Sequence, residues 1–413
     1  MSMPRLWFRM IVASTLTVFL ILLAASHNSS PGLQTWYQRA LDEASSALYS
    51  AQLGGQSATT NLVDILNRTL GFQEVQMISM VHRTDKRDAF AVSASLSGFD
   101  FNITDGVDGS AISSQALPHT MAQKPSVLGC WRAHLNVWRD MIRRRVSSTI
   151  IFEDDADWDV GLRAQMIELA KGARYSMDEK QSNPNSPYGD NWDLLWIGHC
   201  GTAPAPWTDR RYVIRNDLTV TPPESRFDVG KPDMSRWEGS PNTDNKTRVV
   251  FPALGGCCRM SYALTLRGAQ KAVYRLSMLP FNSPGDWGLN SMCQDRDLGF
   301  RCVSAYPSIV GLYRAPGNTS RDSDINASEG EIVERGHSER LVFSTRINTQ
   351  RLLNGETKFE SAFPDATGAE MELTDIVRAS GTEVQVPLQK DFASLSNEEY
   401  RNLRWGPEDV PLT

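Results

Sequence analysis

The chain has no excess of positive charge. Its 42 Lys and Arg are outnumbered by 48 Asp and Glu, for a net charge of -6. A general nucleic-acid binder needs a basic face to neutralise phosphates, so that class is excluded. Histidine is scarce, with six residues at His27, His82, His119, His134, His199 and His337, none of them next to an acidic cluster. A metal-dependent phosphoesterase, which gathers His and Asp ligands from along the chain, is therefore the weaker enzyme reading. The six cysteines, Cys130, Cys200, Cys257, Cys258, Cys293 and Cys302, contain neither a CxxC nor a Cys/His pair at zinc spacing. They read as structural thiols or disulfides of an oxidising compartment, with Cys293 and Cys302, flanking a turn, as the first pair to expect. No internal repeat is present.

What is there describes a globular chain, 41% hydrophobic and 22% charged over 413 residues. Arg5 and Arg9 precede the charge-free run Met10 to Ser26. That run reads as an uncleaved signal anchor, with a cleaved signal peptide as its rival at Ala24-Ala25-Ser26. Sequons begin at Asn28, Asn67, Asn102, Asn245, Asn318 and Asn326 and suit a lumenal glycoprotein. The expected organisation is a cytoplasmic tip and transmembrane helix over 1–26, a lumenal stem over 27–72, a catalytic domain over 73–325 and a polar extension over 326–413. The expected location is the Golgi or endoplasmic reticulum membrane, in a single-pass type II orientation.

Within the domain, strand and helix patterns alternate from 75 to 310. Val75 to Val81 reads as a strand, His82 to Asp88 as a charged turn, and the run to Ser97 as a helix. Val127, Trp131, Leu135, Trp138 and Ile142 recur at helical spacing over Pro125 to Arg145 and mark a core-facing stripe. The apolar stretch Ser148 to Phe152 then empties into Glu153, Asp154, Asp155 and Asp157. Carboxylates this close repel unless a divalent cation or a set of hydrogen bonds compensates them. A solvated acidic turn is the bland alternative. In open α/β sheets ligands bind beyond the carboxyl ends of the strands, where both this acidic knot and Arg83 and Arg87 fall. His134 on the apolar helix is either a packed core residue or a ligand, and Asp286 is either a helix cap or an active-site acid.

Five segments in order resemble glycosyltransferase family 25, the group of bacterial lipooligosaccharide and animal collagen galactosyltransferases. Val75 to Arg87 resembles the opening strand and its Arg-x-Asp-x-Arg-like turn, and Asp105 to Gly109 the Val-Asp-Gly turn. Gly129-Cys130 through His134 resembles the Gly-Cys-x-x-Ser-His helix, with Ala133 in place of Ser. Ile150 to Asp155 resembles the Leu-Glu-Asp-Asp motif, followed here by Ala156, and Pro284 to Leu289 a later Asp-containing turn. The resemblance implies a GT-A-like, Rossmann-like α/β domain with a mostly parallel sheet. It also implies a uridine-diphosphate sugar donor, galactose being the usual sugar, a manganese ion, and transfer with inversion to a hydroxyl of a glycan or glycoprotein. On that pattern Glu153 and Asp155 meet the metal, with Asp157 as an additional ligand. Asp154 turns toward ribose or supports the turn, Arg83 and Arg87 contact the uridine diphosphate, and His134 lies beneath the nucleotide. Asp286 is the expected base. A sugar-binding scaffold without turnover is the non-enzymatic alternative.

Overall fold

The computed structural model describes residues 60–180, 184–241, 243, 245–325, 330–377 and 382–385. Its frame is a ten-stranded sheet. The strands that matter for the site are β1 (Glu74–Ser79), β2 (Asn102–Asp105) and β3 (Ser148–Glu153), which run parallel. Ser79 is level with Asp105, and Ile78 with Glu153, so three strand ends open at one edge. Two crossovers make this possible: α1 (Thr84–Leu96) links β1 to β2, and α2 (Pro125–Arg144) links β2 to β3. Parallel neighbours need such long connections.

Next along the chain come β4 (Ala156–Trp158), α3 (Leu162–Ser176), β5 (Leu194–Gly198), β6 (Gly201–Pro204) and β7 (Arg211–Ile214). They are followed by β8 (Arg248–Cys257), β9 (Ser261–Thr265), α4 (Leu266–Val273), α5 (Gly285–Cys293), β10 (Cys302–Tyr306) and β11 (Val310–Arg314). The sheet order is 382–385, β7, β8, β10, β5, β9, β3, β1, β2, with β6 beside β8.

Two parts of the fold expectation are corrected. The α/β sheet is mixed rather than mostly parallel, because parallel pairing is confined to β2–β1–β3 and β5–β10. A turn at Cys258, φ +59°, passes the chain from β8 to β9, and both strands run against the β5–β10 pair. Strand–helix alternation in a sequence does not reveal such a hand-over. Second, among the described residues no helix is long and apolar enough to cross a membrane. Residues 1–26, where the anchor was expected, and the stem up to 59 lie outside the described residues. The GT-A-like domain preceded by a transmembrane helix is therefore not carried further.

The middle of the expected α2 stripe, Trp131, Leu135 and Trp138, is buried, whereas Val127 and Ile142 at its ends are only half-buried and their neighbours Leu128 and Met141 are buried instead. The Trp131 indole donates to the Leu276 carbonyl at 3.0 Å. Arg145 ends the helix in the left-handed region at φ +58°, releasing the chain into β3. Beneath β3, Phe90, Phe99, Phe152 and Trp158 form an aromatic cluster that clamps α1 to the sheet, with ring centroids 5.2 Å apart for Phe90 and Trp158.

Gly109 and Gly129 show why the turn before α2 is glycine-rich. A Cβ on Gly129 would fall inside the van der Waals shell of the Val107 carbonyl oxygen, and one on Gly109 inside that of the Pro125 oxygen. The turn thus lies directly on the helix, backbone against backbone. Gly129→Ala is expected to force them apart and to lower stability by roughly 2 kcal/mol, read as a fall in the urea midpoint.

Beyond β11 the chain does not trail away. His337–Glu339 pairs antiparallel with β11, which also pairs with β4. Val342, Phe343, Phe359 and Ile376 form a second buried cluster. Both disulfides join residues of the central fold: Cys200 to Cys258, and Cys293 to Cys302 as the sequence suggested. Cys130 and Cys257 are free thiols.

Candidate active site

At the shared carboxyl edge lies a cavity of about 320 Å³. Its walls are the end of β1, the Val107–Gly109 turn, one face of the first turns of α2, the acidic run Glu153 to Asp155, and Ser323 to Ile325. Glu153 closes β3, and its N–H donates to the Met260 carbonyl at 3.0 Å. The same edge therefore receives the loop between β8 and β9, which carries Arg259.

Burial pushes the Glu153 carboxyl up to about 7, with Asp286 and Asp154 adding to the rise and Arg259 opposing it. Its side chain keeps 28% of its surface toward the cavity, so solvent moderates the shift. Asp155 is likewise raised, to about 6, first by burial and then by Glu153 and Asp154, against Lys86 and Arg314. Two carboxylates whose charge is disfavoured by burial and by neighbouring acids, and which line one cavity, are the oxygen donors that a hard divalent cation takes. The residues present thus fit a manganese-type ion.

His134 is buried and reaches Glu153 from α2, with Nε2 3.3 Å from the carboxylate. Its Nδ1 lies 2.7 Å from the Tyr262 hydroxyl, which also accepts from the Trp138 indole at 2.9 Å. Burial, reinforced by Arg259, holds the imidazole well below its ordinary pKa, so the ring is neutral. His134 is accordingly a wall of the cavity as well as a core residue.

The arginines of the first turn are engaged elsewhere. Arg83 forks onto Asp85 at 3.0 and 2.9 Å and reaches Asp324 at 2.7 Å, while Arg87 holds Asp105 at 2.6 Å and the Ser79 carbonyl at 2.8 Å. Neither lines the cavity. Lys86, between them in sequence, does: its ammonium bonds Asp154 at 3.0 Å and the Asp322 carbonyl at 3.1 Å. Lys86 was passed over because an arginine-rich turn draws attention to its arginines. Its place one residue before Arg87 in α1 was the available signal.

Arg259 was also missed, and no spacing could have shown it. The side chain is only 5% exposed and donates to the Cys130 thiol at 3.0 Å, with Nη1 lacking a partner. Burial works against its charge, but Cys130, Glu153 and Asp286 hold it charged. Asp286, near the start of α5, accepts from the Cys258 N–H at 3.0 Å and is not on the cavity wall. It backs the site as part of the charge balance around Arg259.

Asp157 points away from the cavity altogether. It is fully buried and accepts from the Trp158 N–H at 2.8 Å, the Arg346 N–H at 3.3 Å, the Ser338 hydroxyl at 3.1 Å and the Ser344 hydroxyl. The acidic knot is therefore divided at the Asp154–Asp155 turn, which separates the end of β3 from β4. Asp159 follows the same side and accepts from the Phe343 N–H at 2.6 Å.

Burial raises Asp159 to about 7, opposed by the Phe343 N–H and Arg248. In the unfolded chain it titrates near 4. Below that pH both states are protonated; as pH rises to about 7 the unfolded chain loses its proton first, and stability falls. Asp159→Asn is expected to flatten this slope, matching the wild type at pH 4 and exceeding it by about 3 kcal/mol at pH 8, as thermal unfolding at the two pH values would show.

Residues 72–183 match the sequence model of "Glycosyltransferase family 25 (LPS biosynthesis protein)". That span runs from just before β1 past α3 and includes Lys86, Cys130, His134 and the acidic run. Procollagen galactosyltransferase 2 of Mus musculus is 22% identical over 218 residues, which is 49% of this chain and 28% of the relative. Procollagen galactosyltransferase 1 of Danio rerio is 27% identical over 216 residues, with the same coverage. The human protein named inactive glycosyltransferase 25 family member 3 is 24% identical over 143 residues, or 31% of this chain and 22% of the relative. The chain thus spans less than a third of the length of the curated relatives it matches. The resemblance carried by the five motifs is to the family that these comparisons find, a family of glycosyltransferases.

Proposed function

We propose that this chain, whose residues 72–183 match glycosyltransferase family 25, transfers a hexose from a nucleoside-diphosphate sugar to a hydroxyl of a glycan or glycoprotein. Galactose from its uridine diphosphate is the favoured donor, because two relatives are named galactosyltransferases of procollagen. The observation that carries the proposal is the joint presence of Glu153, Asp155 and Lys86 on the wall of one cavity at the carboxyl ends of parallel strands.

In this reading the diphosphate lies between Lys86 and the first turn of α2. The ammonium attracts the phosphate oxygens, and the N–H groups at the start of a 20-residue helix add their dipole. The Gly109–Gly129 contact brings the backbone close enough for the ligand to lie flat against it. Glu153 and Asp155 would hold a divalent cation, which supplies neutralisation of the leaving diphosphate. Arg83 and Arg87 keep the turn in place, and the clamp from Arg83 to Asp324 secures the Ser323–Ile325 wall. Disulfides and sequons support a lumenal location in the secretory pathway.

A panel of nucleotide sugars tests this directly, with uridine diphosphate release measured with and without manganese. Manganese-dependent release from a uridine-diphosphate hexose is expected. Binding of the nucleotide without turnover, by a protein of intact fold, would instead favour an inactive relative of the kind represented by family member 3.

A further inference from the structure

Cys130 and His134 lie one turn apart on α2 and meet Glu153 across the floor of the cavity. One sulfur, one imidazole nitrogen and one carboxylate oxygen all fall within 4.8 Å of one another. We propose that these three side chains form a binding site for a soft or borderline divalent cation of the zinc type, distinct in chemistry from the oxygen-only pair Glu153 and Asp155.

The donor set carries the inference. Thiolate with imidazole selects zinc-like ions, whereas manganese and magnesium prefer oxygen. Bonds of about 2.0–2.3 Å arranged tetrahedrally place ligand atoms roughly 3.3–3.8 Å apart. His134 Nε2 and the Glu153 carboxylate, 3.3 Å apart, already meet that spacing, and the Cys130 sulfur, within 4.8 Å of both, closes the remainder by a small rotation. The fourth position faces the cavity, where a water or an anionic oxygen fits.

The surroundings are already those of a metal site. The Tyr262 hydroxyl engages His134 Nδ1 at 2.7 Å, orienting the ring so that Nε2 faces Glu153. A metal-bound imidazole uses its second nitrogen in this way. Arg259 donates to the Cys130 sulfur at 3.0 Å and is positioned to stabilise a thiolate. The metal takes the thiolate form, so binding displaces a proton from Cys130 to solvent. Because Glu153 belongs to both donor sets, occupation by zinc removes an oxygen ligand from the manganese pair. Zinc is then an inhibitor that competes with manganese. That consequence rests on the proposed function, but the site itself does not.

Cobalt(II) titration of the whole protein, under non-reducing conditions that keep both disulfides, tests the site without any turnover. A 1:1 complex with a strong thiolate-to-cobalt charge-transfer band is expected, bleached by one equivalent of zinc. Cys130→Ser should abolish the band while circular dichroism shows an unchanged fold, and Cys257→Ser, which changes the other free thiol, should keep it. Only the weak absorption of an oxygen-ligated ion in the wild type overturns the proposal. So does a band that survives Cys130→Ser or is lost in Cys257→Ser.

Discussion

Asp155→Ala is expected to lower manganese-dependent sugar transfer by roughly a thousandfold, equivalent to about 4 kcal/mol of transition-state stabilisation, with little loss of fold. The Asp155 side chain lines the cavity, and its carboxyl is raised to about 6 by burial and by its acidic neighbours. It is costly to the folded protein when ionised without a cation. Its ion pair with Arg314 is long, at 3.4 Å, and partly exposed, so removing it leaves no deeply buried charge uncompensated. Activity and stability are thereby separated: turnover collapses while the melting temperature holds or rises slightly. Glu153→Gln is expected to impair transfer in the same way, since it keeps the volume of the residue but withdraws one anionic donor from the pair. Uridine diphosphate release at saturating donor, alongside thermal unfolding of the same preparations, measures both quantities.

Asp157→Ala, only two residues on, is expected to do the reverse. Four donors converge on that buried carboxylate: two N–H groups and the hydroxyls of Ser338 and Ser344. They tie β4 to the segment around 338–346, which also pairs with β11 through His337–Glu339. Truncation takes the acceptor from the two N–H groups and the Ser344 hydroxyl in a site closed to water, while Ser338 keeps the Leu312 carbonyl at 3.0 Å. The loss is expected at about 3–5 kcal/mol, visible as a large fall in the denaturant midpoint. The manganese concentration giving half-maximal turnover should not move in the protein that remains folded. Were Asp157 a ligand, that midpoint would shift by an order of magnitude and stability would change little.

This contrast shows what a sequence can and cannot carry. Helical spacing of Trp131, Leu135 and Trp138 was enough to place α2 and its buried face, because 3.6-residue periodicity is a local property. An apolar β-branched run was enough to place β3. The acidic run after it was legible as a cluster but not as a divided one: Asp154 and Asp155 form the turn between β3 and β4, while Asp157 lies within β4, and three residues are too few to betray a strand. Lys86 stands beside the arginines of its own turn, whereas Arg259 needed tertiary information: it arrives from the hand-over between β8 and β9, more than 100 residues away from Glu153 in sequence. β8 does not announce itself in the sequence, since Gly255, Gly256 and Pro252 weaken a strand pattern even where all ten residues are buried. Residues 337–346 looked polar because their work is to satisfy Asp157 and Asp159. A segment selected for hydrogen bonding to buried acids does not present a hydrophobic period.

Equilibrium binding of uridine diphosphate, followed by titration calorimetry with and without manganese, is the measurement closest to the central claim that Glu153, Asp155 and Lys86 form one nucleotide–cation site. The account predicts a 1:1 complex that requires manganese, is lost on chelation and is absent in Asp155→Ala. Binding that is equally tight in the presence of a chelator, or unchanged by Asp155→Ala, would contradict it.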